Sequence, residues 1–125
     1  MDKNSALNAF AALSQSTRLD VFRLLIKAGE HGMSAGDISG TLEVRQNTMS
    51  ANLAILARSG LIQSKREGRS IHYFADINGM RGLLAFLMEE CCGGRPEKCQ
   101  PVLDELVCGQ APPRPPERHP YESST

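Results

Sequence analysis

Apolar side chains recur at helical spacing twice within the first thirty residues. The second set runs from Leu19 to Ile26, and the polar stretch 14–16 separates it from a first set made of Ala6, Leu7, Phe10 and Leu13. Spacing of three and four residues is typical of an amphipathic helix. We therefore expect two helices, the second capped at or near Ser16 and ending at Gly29, because glycine readily adopts the positive φ of a helix C-terminus.

The next apolar pattern predicts a short helix followed by a longer one. Residues 30–33 read as a linker, and the S-x-x-D sequence of Ser34 and Asp37 is typical of a helix start. This short helix should end near Leu42. A longer helix should run from about Gln46 to Arg58 and close at Gly60, with an inward face formed by Met49, Leu53, Ile55 and Leu56.

After Gly60 the pattern predicts a β-hairpin and then a last helix. Residues 61–65 and 70–74 read as strands joined by residues 66–69, in which Gly68 supplies the turn. Residues 77–88 are too apolar to be exposed on all sides, so we expect this helix to be partly buried against a second subunit. The predicted fold is mainly α with a β-hairpin, as in a homodimeric winged helix-turn-helix.

Charge changes this picture because it is unevenly distributed. The whole chain has 14 basic and 14 acidic residues, hence no formal net charge. Residues 44–74 hold a single acid, Glu67, among the bases Arg45, Arg58, Lys65, Arg66 and Arg69, whereas residues 75–109 hold six acids and three bases. A basic segment inside a neutral chain is typical of a surface that binds an anionic partner such as DNA.

The order of these elements predicts double-stranded operator DNA as the partner. A helix-turn-helix places its second helix in the major groove, where amides and hydroxyls contact base edges and phosphates. Polar surface residues are by default merely solvated, but a polar helix followed by a basic hairpin favours groove binding. The predicted DNA-binding residues are Arg45, Gln46, Asn47, Thr48, Ser50 and Asn52 on or beside the helix, and Lys65, Arg66 and Arg69 on the hairpin.

Three stretches of the chain carry a family resemblance. They are LEVRQNTMSANL at residues 42–53 with the nearby Leu56, SGLI at residues 59–62 and GRSIHY at residues 68–73. Together they resemble the ArsR/SmtB family of metal-responsive repressors. The resemblance covers about residues 6–92. It implies a dimer that leaves DNA when metal binds. Asn52 departs from the family pattern, which often has histidine at this position, so the operator sequence does not carry over.

Two metal sites of the family have no counterpart here. The cysteine pair of the third helix would fall on Ser34 and Gly36, and the zinc site of the last helix would need histidines near Asn78 and Glu89. Four cysteines remain, all in the last third of the chain. Cys91 and Cys92 precede Gly93–Gly94, which can end a helix, and Pro96 blocks its continuation, so Cys99 can approach the pair.

Three thiolates suit a soft ion, and the resemblance to arsenic-responsive members with neighbouring C-terminal cysteines points to As(III), with Sb(III) as a second candidate inducer. The metal-ligand prediction is Cys91, Cys92 and Cys99. The cysteine pair could instead pack in a dimer core. Cys108 could be a fourth ligand or a spare thiol, but it most resembles a packed residue on an apolar stripe.

Two rival functions remain open at this point. Cys99 could form a disulfide with Cys91 or Cys92, giving a thiol redox switch on the same DNA-binding regulator. All four cysteines could also hold zinc in an interaction module that binds no DNA. An enzyme is not expected, because no nucleophile with its base, paired carboxylates or phosphate-binding glycine loop stands out, and no organic cofactor is expected.

Length and composition predict one main domain in a reducing compartment. We expect a DNA-binding and dimerisation domain over residues 1–92, a cysteine-bearing sensor segment over 93–109 and a disordered Pro-rich tail over 110–125. No apolar run reaches the roughly 20 residues of a membrane span, and the N-terminus lacks the features of a signal peptide. Free cysteines agree with a cytoplasmic location, and no membrane partner is expected.

Overall fold

The computed structural model describes residues 1–89. Within this range the chain forms five helices and three strands, with a single 3₁₀ turn at Gly29–His31. In chain order they are α1 (Lys3–Leu13), α2 (Ser16–Ala28), β1 (Met33–Ser34), α3 (Ala35–Leu42), α4 (Gln46–Arg58), β2 (Ile62–Glu67), β3 (Ser70–Ala75) and α5 (Ile77–Met88). Residues Met1–Leu87 form one compact unit. The cysteine-bearing segment and the Pro-rich tail lie outside the described residues.

The predicted fold class and most predicted helix ends are confirmed. Gly29 follows α2 with φ +66°, and the Ser34 hydroxyl accepts a hydrogen bond from the Asp37 N–H at 3.1 Å to cap α3. The cap of α2 is Gln15 rather than Ser16, since its side-chain oxygen accepts the Arg18 N–H at 2.9 Å. Helix α5 has the predicted bounds.

The apolar set that predicts α1 is only partly buried. Ala6, Ala9 and Ala12 are buried, while Leu7 and Phe10 are 53% and 37% exposed. Small side chains allow α1 to lie close to α2 and α4, with which it packs. Leu7 and Phe10 therefore lie on the outer side of α1, away from the core that residues 1–89 form.

A third strand replaces part of the predicted linker. β1 pairs antiparallel with β3, Met33 opposite Tyr73 and Ser34 opposite His72, and the sheet order is β1-β3-β2. Gly32 makes this pairing sterically accessible: it has φ +64°, and a Cβ there would lie 2.7 Å from the Tyr73 carbonyl oxygen. A strand of two residues has no measurable periodicity, so the sequence pattern could not indicate it.

The hairpin is longer and its turn tighter than predicted. β2 and β3 pair from Ile62 opposite Ala75 to Glu67 opposite Ser70, which leaves Gly68 and Arg69 as the two turn residues. Gly68 has φ +67°, a backbone conformation suited to glycine in a two-residue hairpin turn. Among residues 1–89, no helix combines the length and apolarity that crossing a bilayer requires.

Candidate nucleic-acid interface

A tight turn fixes the relative orientation of α3 and α4. Helix α3 ends at Leu42, and its C-cap residue Glu43 adopts the left-handed conformation with φ 58° and ψ 49°. The Val44 N–H then donates to the Ser39 carbonyl oxygen at 3.0 Å. A non-glycine residue in this conformation costs about 1 kcal/mol, so the surrounding contacts impose the geometry. Because position 43 is not a glycine, the sequence does not mark this turn.

One side of α4 is held by the protein core. Met49, Leu53 and Leu56 are at most 2% exposed, which confirms three of the four predicted inward positions, and Ile55 is partly buried. They join Ile38 in one apolar cluster. A large rotation of α4 about its axis would expose these side chains to water, so the apolar cluster keeps the opposite face of α4 outward.

The outer face of α4 carries most of the predicted DNA-binding residues. Arg45 stands at the N-cap position without a side-chain capping bond, and the Asn47 side-chain oxygen accepts the Thr48 N–H at 2.8 Å. The exposed members of the predicted set are Arg45, Gln46, Asn47, Thr48 and Ser50. Their polar groups lie at the first two turns of the helix, the part that a recognition helix directs toward base edges.

Asn52 is the exception and the prediction that it contacts DNA is corrected. Its side chain is only 7% exposed, and its Oδ1 accepts a hydrogen bond from Arg18 Nη1 at 3.2 Å. The reason is spacing, because residue 52 follows Met49 by three positions and precedes Leu56 by four, which places it on the buried stripe. That spacing was the available signal. Arg18 itself was not predicted as a functional residue.

The hairpin extends this polar surface with positive charge. Lys65, Arg66 and Arg69 are all exposed. Since successive side chains of a strand point to opposite faces, Lys65 and Arg66 present their charges on the two sides of β2. Arg69 lies in the turn itself. A tip with cations on both sides is suited to contact phosphates along a groove, and such contacts carry affinity rather than sequence information.

The described residues contain no group of three histidine, cysteine or acidic side chains placed to hold a metal ion. The predicted ligands Cys91, Cys92 and Cys99, and also Cys108, lie outside the described residues.

The surface built by residues 34–69 consists of a polar helix face and a basic hairpin. This arrangement can bind DNA through base edges and phosphates.

Comparison with known proteins agrees with this geometry. Residues 13–64 match the helix-turn-helix domain family. The chain is 33% identical over 101 residues to the arsenical resistance operon repressor of Escherichia coli, an alignment that covers 81% of this chain and 84% of that protein. It is also 28% identical over 94 residues to the transcriptional activator HlyU of Vibrio cholerae, covering 74% of this chain and 84% of HlyU.

Solved structures show the same fold. Reduced HlyU from Vibrio cholerae has a TM-score of 0.53 and 28% identity, covering 67% of this chain and 88% of that one. A homodimeric winged helix-turn-helix DNA-binding domain from Mycobacterium bovis, described as a possible ArsR-family transcriptional regulator, has a TM-score of 0.56 and 23% identity. The alignment covers 74% of this chain and 85% of the Mycobacterium bovis chain. Because its sequence identity is only 23%, the similarity to the Mycobacterium bovis domain shows the fold alone.

Proposed function

The chain belongs to the ArsR family of winged helix-turn-helix transcriptional regulators, and we propose that within this family it is a homodimeric repressor released from operator DNA by As(III) or Sb(III). It is a DNA-binding regulator and not an enzyme. The observation that carries the proposal is the coincidence of two features. These are the similarity to an arsenical resistance repressor and three thiol side chains, Cys91, Cys92 and Cys99, close together in the sequence.

Two parts of each subunit would contact DNA. The exposed amides and hydroxyls at the start of α4 would contact base edges in the major groove, since amides can bond adenine at two points. Lys65, Arg66 and Arg69 would contact phosphates beside that groove. A dimer would repeat both contacts about one helical turn apart, so we expect a two-fold symmetric operator.

The uncovered apolar side chains of α1 and α5 support a dimer. Leu7 is 53% exposed and Leu87 is 52% exposed. The two helices are neighbours, because a Cβ at Gly82 would lie 3.9 Å from Cβ of Met1, just before α1. Large apolar side chains that remain this exposed favour a second subunit as their cover. A second copy of this chain, packed against α1 and α5, would bury the exposed apolar side chains of both helices.

Replacing Leu7 with aspartate is expected to dissociate the dimer while each subunit stays folded. The charge would be buried unpaired in the subunit interface, but in a monomer it would face water. Analytical ultracentrifugation measures the change, and we expect the dimer to weaken at least about a hundredfold. Leu19→Asp is the matched control, since Leu19 is 41% exposed on α2. Equal effects of both changes would contradict an interface at α1.

As(III) would be the inducer because thiolates are soft ligands and the three cysteines supply the number of sulfurs that trivalent arsenic takes. These residues follow α5 directly in the sequence. A ligand there needs only to favour the released form of the dimer. A free-energy difference of about 1–3 kcal/mol between the two forms changes operator affinity roughly 5–150-fold.

Cysteine substitution tests the inducer. A fluorescent duplex selected by the wild-type protein from a randomised library is bound first and then titrated with arsenite, with anisotropy as the readout. We expect wild type and Cys108→Ser to release the duplex, and Cys91→Ser and Cys92→Ser to retain it with at least about tenfold less response. Release from all four proteins at the same arsenite concentration would show that the predicted ligands are wrong.

A thiol redox switch is the second candidate, favoured by the similarity to HlyU, one of whose solved structures is described as reduced. In that case oxidation of two thiolates would form a disulfide between Cys99 and Cys91 or Cys92, with peroxide accepting the two electrons. The same anisotropy assay separates the two functions. Release by peroxide together with no response to arsenite under reducing conditions would select the redox switch.

A further inference from the structure

Arg18 joins three helices of the DNA-binding unit. Its side chain leaves α2 and is partly buried. The guanidinium Nε donates to the Ala12 carbonyl oxygen of α1 at 2.7 Å, and Nη1 donates to Asn52 Oδ1 of α4 at 3.2 Å. These bonds connect residues 6 and 34 positions away in the sequence. One rigid planar group therefore sets the distance between the end of α1 and the middle of α4.

Each of the two oxygens needs this donor. Ala12 is near the C-terminus of α1, where the last four carbonyl groups lack a helical partner and carry partial negative charge. Asn52 is buried, and a buried amide oxygen without a hydrogen bond is costly. A small rotation or shift of α4 would break the Asn52 bond. The native position of α4 is thus favoured over nearby positions that the apolar cluster alone would tolerate.

Within the described part of the chain, the Arg18 side chain makes its hydrogen bonds to these two oxygens. Among residues 1–89, a cleft of about 440 Å³ beside it is lined by one further cation and no carboxylate, the residues being Asn8, Ala11, Ala12, Arg18, Ile55, Arg58 and Ser59. Its charge is therefore satisfied by neutral oxygens of α1 and α4. An arginine needed only for solubility would not be partly buried between helices.

We propose that Arg18 is a positioning residue for DNA recognition, which sets the reading face of α4 relative to α1 without contacting DNA. This inference rests on the proposed function, because α4 is taken as the recognition helix and α1 as part of the dimer surface. Arg18 would then link the subunit interface to the reading face. Loss of the link would impair the choice of sequence more than general DNA binding, since phosphate contacts tolerate small shifts that base contacts do not.

The test compares three variants with a control on the same helix. Arg18→Met and Asn52→Leu each remove one partner with similar side-chain volume, and the double variant removes both. Arg23→Met is the control, because Arg23 is an exposed cation on α2. For each protein we would measure affinity for the selected duplex and for a scrambled duplex, at salt concentrations from 50 to 200 mM, with thermal melts to confirm folding.

We expect Arg18→Met and Asn52→Leu each to lower affinity for the selected duplex about tenfold, while affinity for the scrambled duplex stays near that of wild type. The double variant should lose no more affinity than Arg18→Met alone, because Arg18→Met already removes the bond to Asn52. The slope of log affinity against log salt should not change. Arg23→Met should behave as wild type.

Three results would overturn the inference. One is equal behaviour of Arg18→Met and Arg23→Met. A second is a decrease of the salt slope by about 1.8 for Arg18→Met, which would indicate a direct phosphate contact from each of the two subunits. A third is additive losses in the double variant. If Arg18→Met does not fold, Arg18→Lys serves instead, and an intermediate loss of discrimination is expected because an ammonium lacks the planar fork. A wild-type protein that cannot distinguish the two duplexes would contradict the proposed function itself.

Discussion

Replacing Lys65, Arg66 and Arg69 with glutamine is expected to lower the affinity for duplex DNA about a hundredfold or more at 50 mM salt. Each cation that neutralises a phosphate contributes about 0.9 to the slope of log affinity against log salt. A dimer has six such side chains, so the slope should fall by up to about 5. The difference in DNA affinity between variant and wild type should therefore decrease as the salt concentration rises. Anisotropy titrations from 50 to 200 mM salt measure both quantities.

A matched variant separates contact from total charge. Lys3, Arg23 and Lys27 are also exposed cations, and they lie on α1 and α2. Their replacement by glutamine removes the same charge from each subunit. We expect a slope close to that of wild type, because distant charges are screened within about 10 Å at 0.1 M salt. If this variant loses as much affinity as the hairpin variant, the hairpin is not a phosphate contact.

The helices and the hairpin could be predicted because their patterns are long. Helix α4 has buried residues at positions 49, 53 and 56, a spacing that only a helix brings to one side. Helix α5 has the expected bounds for the same reason. The β1 strand has two residues and exists because β3 offers it a free edge. Such an element depends on its partner, which lies about forty positions later in the chain.

The apolar spacing of α1 predicts a helix but does not show which apolar side chains face the core. Leucine and phenylalanine are normally the buried side chains of an amphipathic helix. In α1 the alanine stripe is buried instead, since it permits close packing against α2 and α4. The larger residues suit a second subunit. An apolar stripe on each side of one helix is thus consistent with a helix between its own core and a partner.

Residues of the candidate site that are exposed without a side-chain partner could be predicted from the sequence. A residue whose side chain bonds to a distant residue was harder to predict. Exposed residues such as Gln46 and Arg66 follow from polar or charged type and position. The inward direction of Asn52 follows from its spacing on α4, but its bond to Arg18, 34 positions earlier, is a tertiary property. Residue type alone made it resemble a base-contacting amide. The cysteines lie outside the described residues, so their geometry stays a prediction from the sequence.

The start of α5 packs closely against the end of α4, where Gly79 lies against Gly60. The Asp76 N–H donates to the Leu61 carbonyl oxygen at 2.8 Å, and the Asp76 side chain accepts the Gly79 N–H at 3.0 Å. These bonds draw the first turn of α5 against Gly60, between α4 and β2. A Cβ at Gly79 would overlap the Gly60 carbonyl oxygen. Only glycine allows the two backbones to approach this closely.

Gly79→Ala is therefore expected to destabilise the protein by about 3 kcal/mol or more, because backbone on both sides must move and the Asp76 bonds then weaken. In a domain of this size the melting temperature should fall by roughly 12–24 °C, followed by circular dichroism. Gly82→Ala, three residues later on α5, is the matched control. Its new methyl group would make ordinary contact with Met1, 3.7 Å away, so the higher helix propensity of alanine should leave stability unchanged or raise it by up to about 1 kcal/mol. Equal melting temperatures for the two variants would contradict the close approach of α5 to Gly60, and with it the fixed position of the helix that precedes the cysteines.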